Sequence, residues 1–123
     1  MEMTPKELAV RIAKLLDAKK AHELSVIEVT AVTELADYFV ICTGNSSTQV
    51  RAFADEVEFK LKTEDNVMPY HIEGHTTRTW IAMDYGCVVV HIFDPEARTY
   101  YDLERLWGDG KKLDPAEYVT PEN

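Results

Sequence analysis

Apolar residues recur at helical spacing in two stretches of the chain. Leu8, Ile12, Leu15 and Leu16 share one side of the first, with Arg11, Lys14 and Asp17 on the other, the pattern of a helix that lays one face on a sheet. Its start is written in Thr4-Pro5-Lys6-Glu7, with a hydroxyl at the N-cap, proline at the first helical position and glutamate at N3. The helix is expected to end near Lys20. Val50, Phe53, Ala54, Val57 and Leu61 form the second stripe, predicting a helix from about Ser47 to Thr63 with Ser46 and Gln49 as a second capping box. Between the helices, Ser25–Val29 alternates like a half-buried strand. Tyr38-Phe39-Val40-Ile41-Cys42 is apolar at every position, as in a central strand covered on both sides.

Beyond the second helix, Tyr70 to Glu73 is a short strand candidate. Trp80–Tyr85 and Cys87–Phe93 read as a hairpin turned at Gly86, a residue free to take the positive φ of a tight reversal. Asp94-Pro95 caps a following turn, and Tyr101, Leu103, Leu106 and Trp107 mark a short third helix ending near Gly108. The order α-β-β-α-β-β-β-α predicts an α/β chain of the α+β kind, a mixed five-stranded sheet flanked by helices rather than a doubly wound parallel sheet. Residues 4–108 are expected to form one domain. Residues 109–123, polar and containing Pro115 and Pro121, are expected to be a loosely ordered tail.

Composition fits one soluble domain: 123 residues, 46% hydrophobic and 28% charged, enough to bury about two-thirds of the unfolded surface. Thirteen Lys plus Arg against 22 Asp plus Glu give a net charge of -9. That balance disfavours direct nucleic-acid binding, which depends on cationic neutralisation of phosphates, and suits a cationic protein partner. Two cysteines, Cys42 in an apolar run and Cys87 beside a turn, do not suggest a disulfide framework. No apolar stretch approaches the roughly 20 residues of a membrane span, and Met1-Glu2-Met3-Thr4-Pro5 reads as neither signal nor transit peptide. A cytoplasmic location is the expectation.

Candidate chemistry is incomplete at every position that suggests it. Thr43-Gly44-Asn45-Ser46-Ser47 joins a strand to a helix N-terminus, a place where backbone N–H groups can hold an anion, but the Walker lysine and the GxGxxG fingerprint are missing. Nucleotidyl transfer needs paired acids around a divalent cation; there is no Asp-x-Asp, and Asp84 and Asp94 stand singly. His71, Glu73 and His75 alternate onto one strand face as a metal set would, with Gly74 interrupting the strand; His91 reads as a hydrogen-bonded sheet histidine. Cys87 and His91 lie about 13 Å apart along a strand, and no Gly-x-Ser-x-Gly elbow is present. No catalytic, cofactor or metal site is expected. What stands out is a concentration of large amphipathic groups: Trp80 and Tyr85, then Tyr100, Tyr101, Leu103, Leu106 and Trp107. Trp and Tyr are favoured at interface hot spots because they bury much area and keep a polar handle. An exposed recognition patch is therefore expected.

Four blocks occur in order: Ala36-Asp37-Tyr38-Phe39-Val40-Ile41-Cys42-Thr43-Gly44-Asn45-Ser46-Ser47-Thr48-Gln49-Val50-Arg51, Trp80-Ile81-Ala82-Met83-Asp84-Tyr85-Gly86, Val88-Val89-Val90-His91-Ile92-Phe93, and Tyr101-Asp102-Leu103-Glu104-Arg105-Leu106-Trp107. With these the chain, over about residues 4 to 109, resembles the ribosomal silencing factor family, the Iojap-like proteins. The resemblance implies a nucleotidyltransferase-like fold without demonstrated transferase chemistry. It also implies binding to the large ribosomal subunit through ribosomal protein uL14, on the face that meets the small subunit. Subunit joining would be blocked and translation repressed when nutrients are scarce, with a homodimer off the ribosome. The implied partner-facing residues are Trp80, Asp84, Tyr85, Tyr101, Leu103, Glu104, Leu106 and Trp107. One departure is Cys87, where the family usually has aspartate after the hairpin glycine. Rival expectations are a nucleotide-binding or nucleotidyltransferase-type enzyme using the Gly44–Ser47 turn, and an obligate homodimer whose aromatic patch is the self-interface.

Overall fold

Thr4 caps the first helix reciprocally: Glu7 N donates to Thr4 Oγ1 at 3.1 Å while Thr4 N donates to Glu7 Oε1 at 2.8 Å. The helix, α1, runs Pro5–Ala18 in the computed structural model, which describes residues 3–74, 76–77 and 79–119. It stops two residues short of the expected Lys20, where Lys20 takes a left-handed φ of 62°. The second helix, α2 (Ser47–Asp65), extends past the expected Thr63 to a left-handed Asn66. Ser46 Oγ accepts from Gln49 N at 3.1 Å as predicted. The Gln49 carboxamide reaches one residue further back, accepting from Asn45 N at 2.6 Å, so the second capping box is displaced by one position.

The strands are β1 (His22–Glu28), β2 (Tyr38–Thr43), β3 (His71–Glu73), β4 (Trp80–Asp84), β5 (Val88–Phe93) and β6 (Lys111–Lys112). They form one mixed sheet of order β3-β4-β5-β2-β1-β6, in which β2 and β5 are parallel and every other pair antiparallel. All six residues of β2 are buried, as expected of a central strand. The hairpin of β4 and β5 turns at Gly86 with φ of +86°.

The sheet has six strands rather than five, and the sixth lies in the segment expected to be a loose tail. Lys111 and Lys112 pair with Glu28 and Ile27, Leu113 N donates to Val26 O at 2.9 Å, and a 3-10 turn at Pro115–Glu117 brings Tyr118 into the core at 2% exposure. The unpaired backbone groups on the outer edge of β1 explain why a polar segment is retained there: backbone hydrogen bonds hold Lys111–Leu113, and burial of Tyr118 anchors the turn that follows. Residues 120–123 lie outside the described residues.

The two faces of the sheet are covered unequally. On one, α1 and α2 bury Val40, Cys42, Ile81, Met83, Val90 and Ile92 beneath Leu8, Ile12, Leu16, Val57 and Leu61. On the other, Ile27, Phe39, Ile41 and Phe93 pack under Ala97 and Leu103, which belong to two short helices, α3 (Pro95–Tyr101) and α4 (Leu103–Leu106). The sequence predicts one helix here. Two are found because Asp102, in the left-handed region at φ 44°, breaks the ladder between them, a conformation that Asp tolerates better than most residues.

Candidate partner-binding face

Period-2 alternation decides which side chains reach the thinly covered face. Trp80 stands opposite Phe93, Ala82 opposite His91 and Asp84 opposite Val89, so these six share one side of the sheet. The α3–α4 corner covers only one end of them. Trp80, Ala82, Asp84 and Val89 are half-buried. The Trp80 ring lies 4.4 Å from that of Tyr101 and 5.1 Å from that of Phe93. Trp107 packs edge-on against Phe39 at 5.6 Å. Outward from this layer stand Tyr101, 44% exposed, Leu106, 68%, and Tyr100, 81%. Tyr100, Tyr101, Asp102, Arg105 and Leu106 line a shallow groove.

His91 sits beneath the layer, 8% exposed, as the hydrogen-bonded sheet histidine expected. Its Nδ1 accepts from Trp80 Nε1 at 3.0 Å. That bond assigns the proton of the neutral ring to Nε2, which has no hydrogen-bond partner among the described residues. Burial pushes the ring's pKa down to about 4, so it is uncharged at neutral pH and contributes an aromatic surface, with the Phe39 ring edge-on at 5.0 Å.

Of the residues singled out from the sequence, Trp80, Tyr101, Leu106 and Trp107 are gathered here. Asp84 is on the same side, its carboxylate accepting from Gly86 N at 2.7 Å to fix the hairpin turn. Two others present no surface. Tyr85 is 5% exposed on the opposite, helical side, since it shares the parity of Ile81 and Met83; burial raises its pKa, with the Glu58 charge adding to the effect. Leu103 is 8% exposed because it is the anchor of α4, inserted among Ile27, Ile41 and Phe93. Glu104 is engaged internally: Oε1 accepts from Arg98 Nε at 3.0 Å and Nη2 at 2.8 Å, and Oε2 accepts from Ser25 Oγ at 2.8 Å. Burial works to raise the Glu104 pKa, but the hydrogen bonds from Arg98 and Ser25, with the charges of Arg98 and Lys112, outweigh it and leave the carboxyl below its ordinary value.

Sequence reasoning missed Val89 and Ala82, which parity with His91 and Trp80 places on the half-open face, and Arg98, whose burial has no sequence signature. The other candidate chemistries find structural uses. Gly44 N donates to Phe93 O at 2.8 Å, and a Cβ on Gly44 would meet Val50 N at 2.8 Å. That glycine permits the close strand-to-helix approach, and Ser46 and Gln49 are occupied in capping. His71 and Glu73 pair with each other at 2.9 Å, while His75 lies outside the described residues. Among the described residues no group of three or more His, Cys, Asp or Glu is placed to hold a metal ion. Complete burial pushes the Cys42 thiol up to about 12, and burial also raises that of Cys87. No helix among the described residues is long and apolar enough to cross a membrane.

A family model described as "Ribosomal silencing factor during starvation" matches residues 2–123. A protein of Halalkalibacterium halodurans named as a ribosomal silencing factor is 37% identical over 112 residues, spanning 91% of this chain and 95% of its own length. The crystal structure of a Chromobacterium violaceum protein superposes with a TM-score of 0.82 at 36% identity, covering 91% of this chain and 92% of that one. A mouse protein, "Mitochondrial assembly of ribosomal large subunit protein 1", is 34% identical over 101 residues, 78% of this chain and 43% of its own. Sequence and fold agree over nearly the whole length, and the chain belongs to the ribosomal silencing factor family.

Proposed function

We propose that this chain docks the thinly covered face of its sheet, with the α3–α4 corner, on the basic large-subunit ribosomal protein uL14, and that its bulk there keeps the small subunit from joining. The observation that carries the reading is the asymmetry of the sheet. One side is sealed by two long helices, and the other leaves Trp80, Tyr101, Leu106 and Trp107 at or near the surface. Aromatic and aliphatic side chains in a central cluster are what an interface of about 800 Å² per partner uses for affinity. Glu73 of β3, Asp84 of β4, Glu96 of α3 and Asp102 between α3 and α4 stand around the cluster, against Arg105 and, from β6, Lys112 at the Glu104 carboxylate, in a chain of net charge -9. Such a rim speeds encounter with a cationic protein and is repelled by RNA phosphates, so the grip falls to protein–protein contact. A domain about 35 Å across is too thick to remain between closely apposed subunits, so no bond making is required. The chain acts in this reading as a translation repressor under nutrient limitation, in the cytoplasm where ribosomes assemble, and pairs with a second copy when off the ribosome.

Purified large and small subunits mixed with the protein and sedimented through sucrose test this. Wild-type protein is expected to lower the joined fraction and travel with the large subunit. Leu106→Asp, at a 68% exposed site, is expected to lose both effects while its unfolding midpoint stays put. An unchanged joined fraction with wild-type protein, or full activity of the variant, contradicts the reading.

A further inference from the structure

One carboxylate gathers the polar contacts between the α3–α4 corner and the sheet. Glu104 accepts two hydrogen bonds from Arg98 of α3 and one from Ser25 of β1, and Lys112 Nζ of β6 stands 3.5 Å from Oε2. Arg98, 8% exposed, turns its remaining arm to Thr43 Oγ1 of β2 at 2.9 Å. Four hydrogen bonds and an ion pair thus converge from α3, α4, β1, β2 and β6. By contrast, α4 has four residues, too few to hold its own shape, and it follows a left-handed Asp102 with no side-chain cap. Its attachment therefore comes from Leu103 beneath and Glu104 beside it. Leu106 and Trp107 ride on that attachment, and Tyr101 ends α3 across the Asp102 break.

We propose that Glu104 is a positioning residue: its ion pair with the buried Arg98 fixes α4 so that Leu106, Trp107 and Tyr101 form a preorganised docking surface, and the carboxylate itself is no contact to the partner. The proposal rests on the docking reading above. Its physical basis is the asymmetry of buried ion pairs: removing one partner strands the other charge in a desolvated site, so the local structure yields. An interface whose anchor residues are already ordered loses less entropy on binding.

Hydrogen exchange of the free protein, with large-subunit affinity measured by sedimentation titration, tests it on Glu104→Gln, Glu104→Asp and the milder Ser25→Ala. Glu104→Gln keeps the shape and strands Arg98. Exchange across residues 99–113 is expected to rise about tenfold or more while α1, α2 and β2 stay protected, and affinity is expected to fall about tenfold. Glu104→Asp, which retains the charge, restores most of both, and Ser25→Ala shifts both slightly in the same direction. Affinity lost without faster local exchange makes Glu104 a direct contact and overturns the proposal. Unchanged exchange in Glu104→Gln overturns it as well. Faster exchange with undiminished affinity leaves the ion pair as a local fastener without a part in docking and overturns the proposal too, whereas loss of binding in Leu106→Asp, run alongside, separates that failure from failure of the docking reading itself.

Discussion

Acidification should destabilise this protein well above the pH at which carboxylates protonate, and His91 is the cause. Its ring is enclosed by Phe39, Trp80 and Phe93, its Nδ1 is taken by Trp80, and burial lowers its pKa from 6.5 to about 4. A base with a depressed native pKa binds its proton more readily when unfolded, so stability is fully present above pH 6.5 and is lost as pH falls from there towards 4. Across the whole window the linkage is worth about 3 kcal/mol at 1.36 kcal/mol per pH unit, and about 2 kcal/mol of it falls between pH 7 and pH 5. Urea unfolding followed by circular dichroism at pH 7, 6 and 5 measures this directly. The Glu104 carboxyl sits below its ordinary value, so its own loss comes at lower pH and leaves the window to the histidine. His91→Gln, which can still accept from the Trp80 indole, is expected to be less stable at pH 7 and nearly flat over the same range. Wild-type stability that does not change from pH 7 to pH 5, or an identical slope in His91→Gln, refutes the reasoning.

Two further predictions concern the sealed side of the sheet and the first cap. Met83→Ala removes a fully buried side chain from between the sheet and the helices, and a loss of about 2–5 kcal/mol is expected in denaturant unfolding; a loss below about 1 kcal/mol would place Met83 outside the core. Thr4→Ala deletes the acceptor of Glu7 N and should cost about 1 kcal/mol, with Glu7→Gln costing less because the amide oxygen still reaches Thr4 N. Equal losses from the two would show that charge rather than capping geometry fixes the start of α1.

Both long helices were legible because two signals agreed at each, an apolar stripe and a hydroxyl cap. The hairpin was legible because Gly86 separates two strands of matched polarity. The α+β class followed from element order. The sixth strand was not legible: Lys111-Lys112 has no hydrophobic signature, and its attachment to β1 is made by backbone groups that no side-chain pattern encodes. Tyr118, the one large aromatic after Trp107, was the available hint that the C-terminal segment is anchored. Within the site, proximity along the chain does not give Tyr85 a place on the open face; counting by twos from Ile81 and Met83 sends it to the helical side, where it is buried. Leu103 belongs by sequence to the amphipathic cluster and Glu104 is partner-facing only by the resemblance; a helix of four residues shows no periodicity long enough to reveal that both turn inward. The buried Arg98 that gives Glu104 its place was invisible for the same reason that any charged residue reads as solvated until its partners are known.

The central claim is that the side of the sheet left open by α1 and α2 is the side that meets the large subunit. Hydroxyl-radical footprinting of the protein, free and bound to purified large subunits, reads it most directly, because oxidisable side chains report from both sides at once. Tyr100, Tyr101, Leu106 and Trp107 are expected to be protected on binding, while Phe59, 60% exposed on α2 across the molecule, reacts at the same rate in both states. Protection of Phe59 with the α3–α4 corner still freely oxidised would contradict the account.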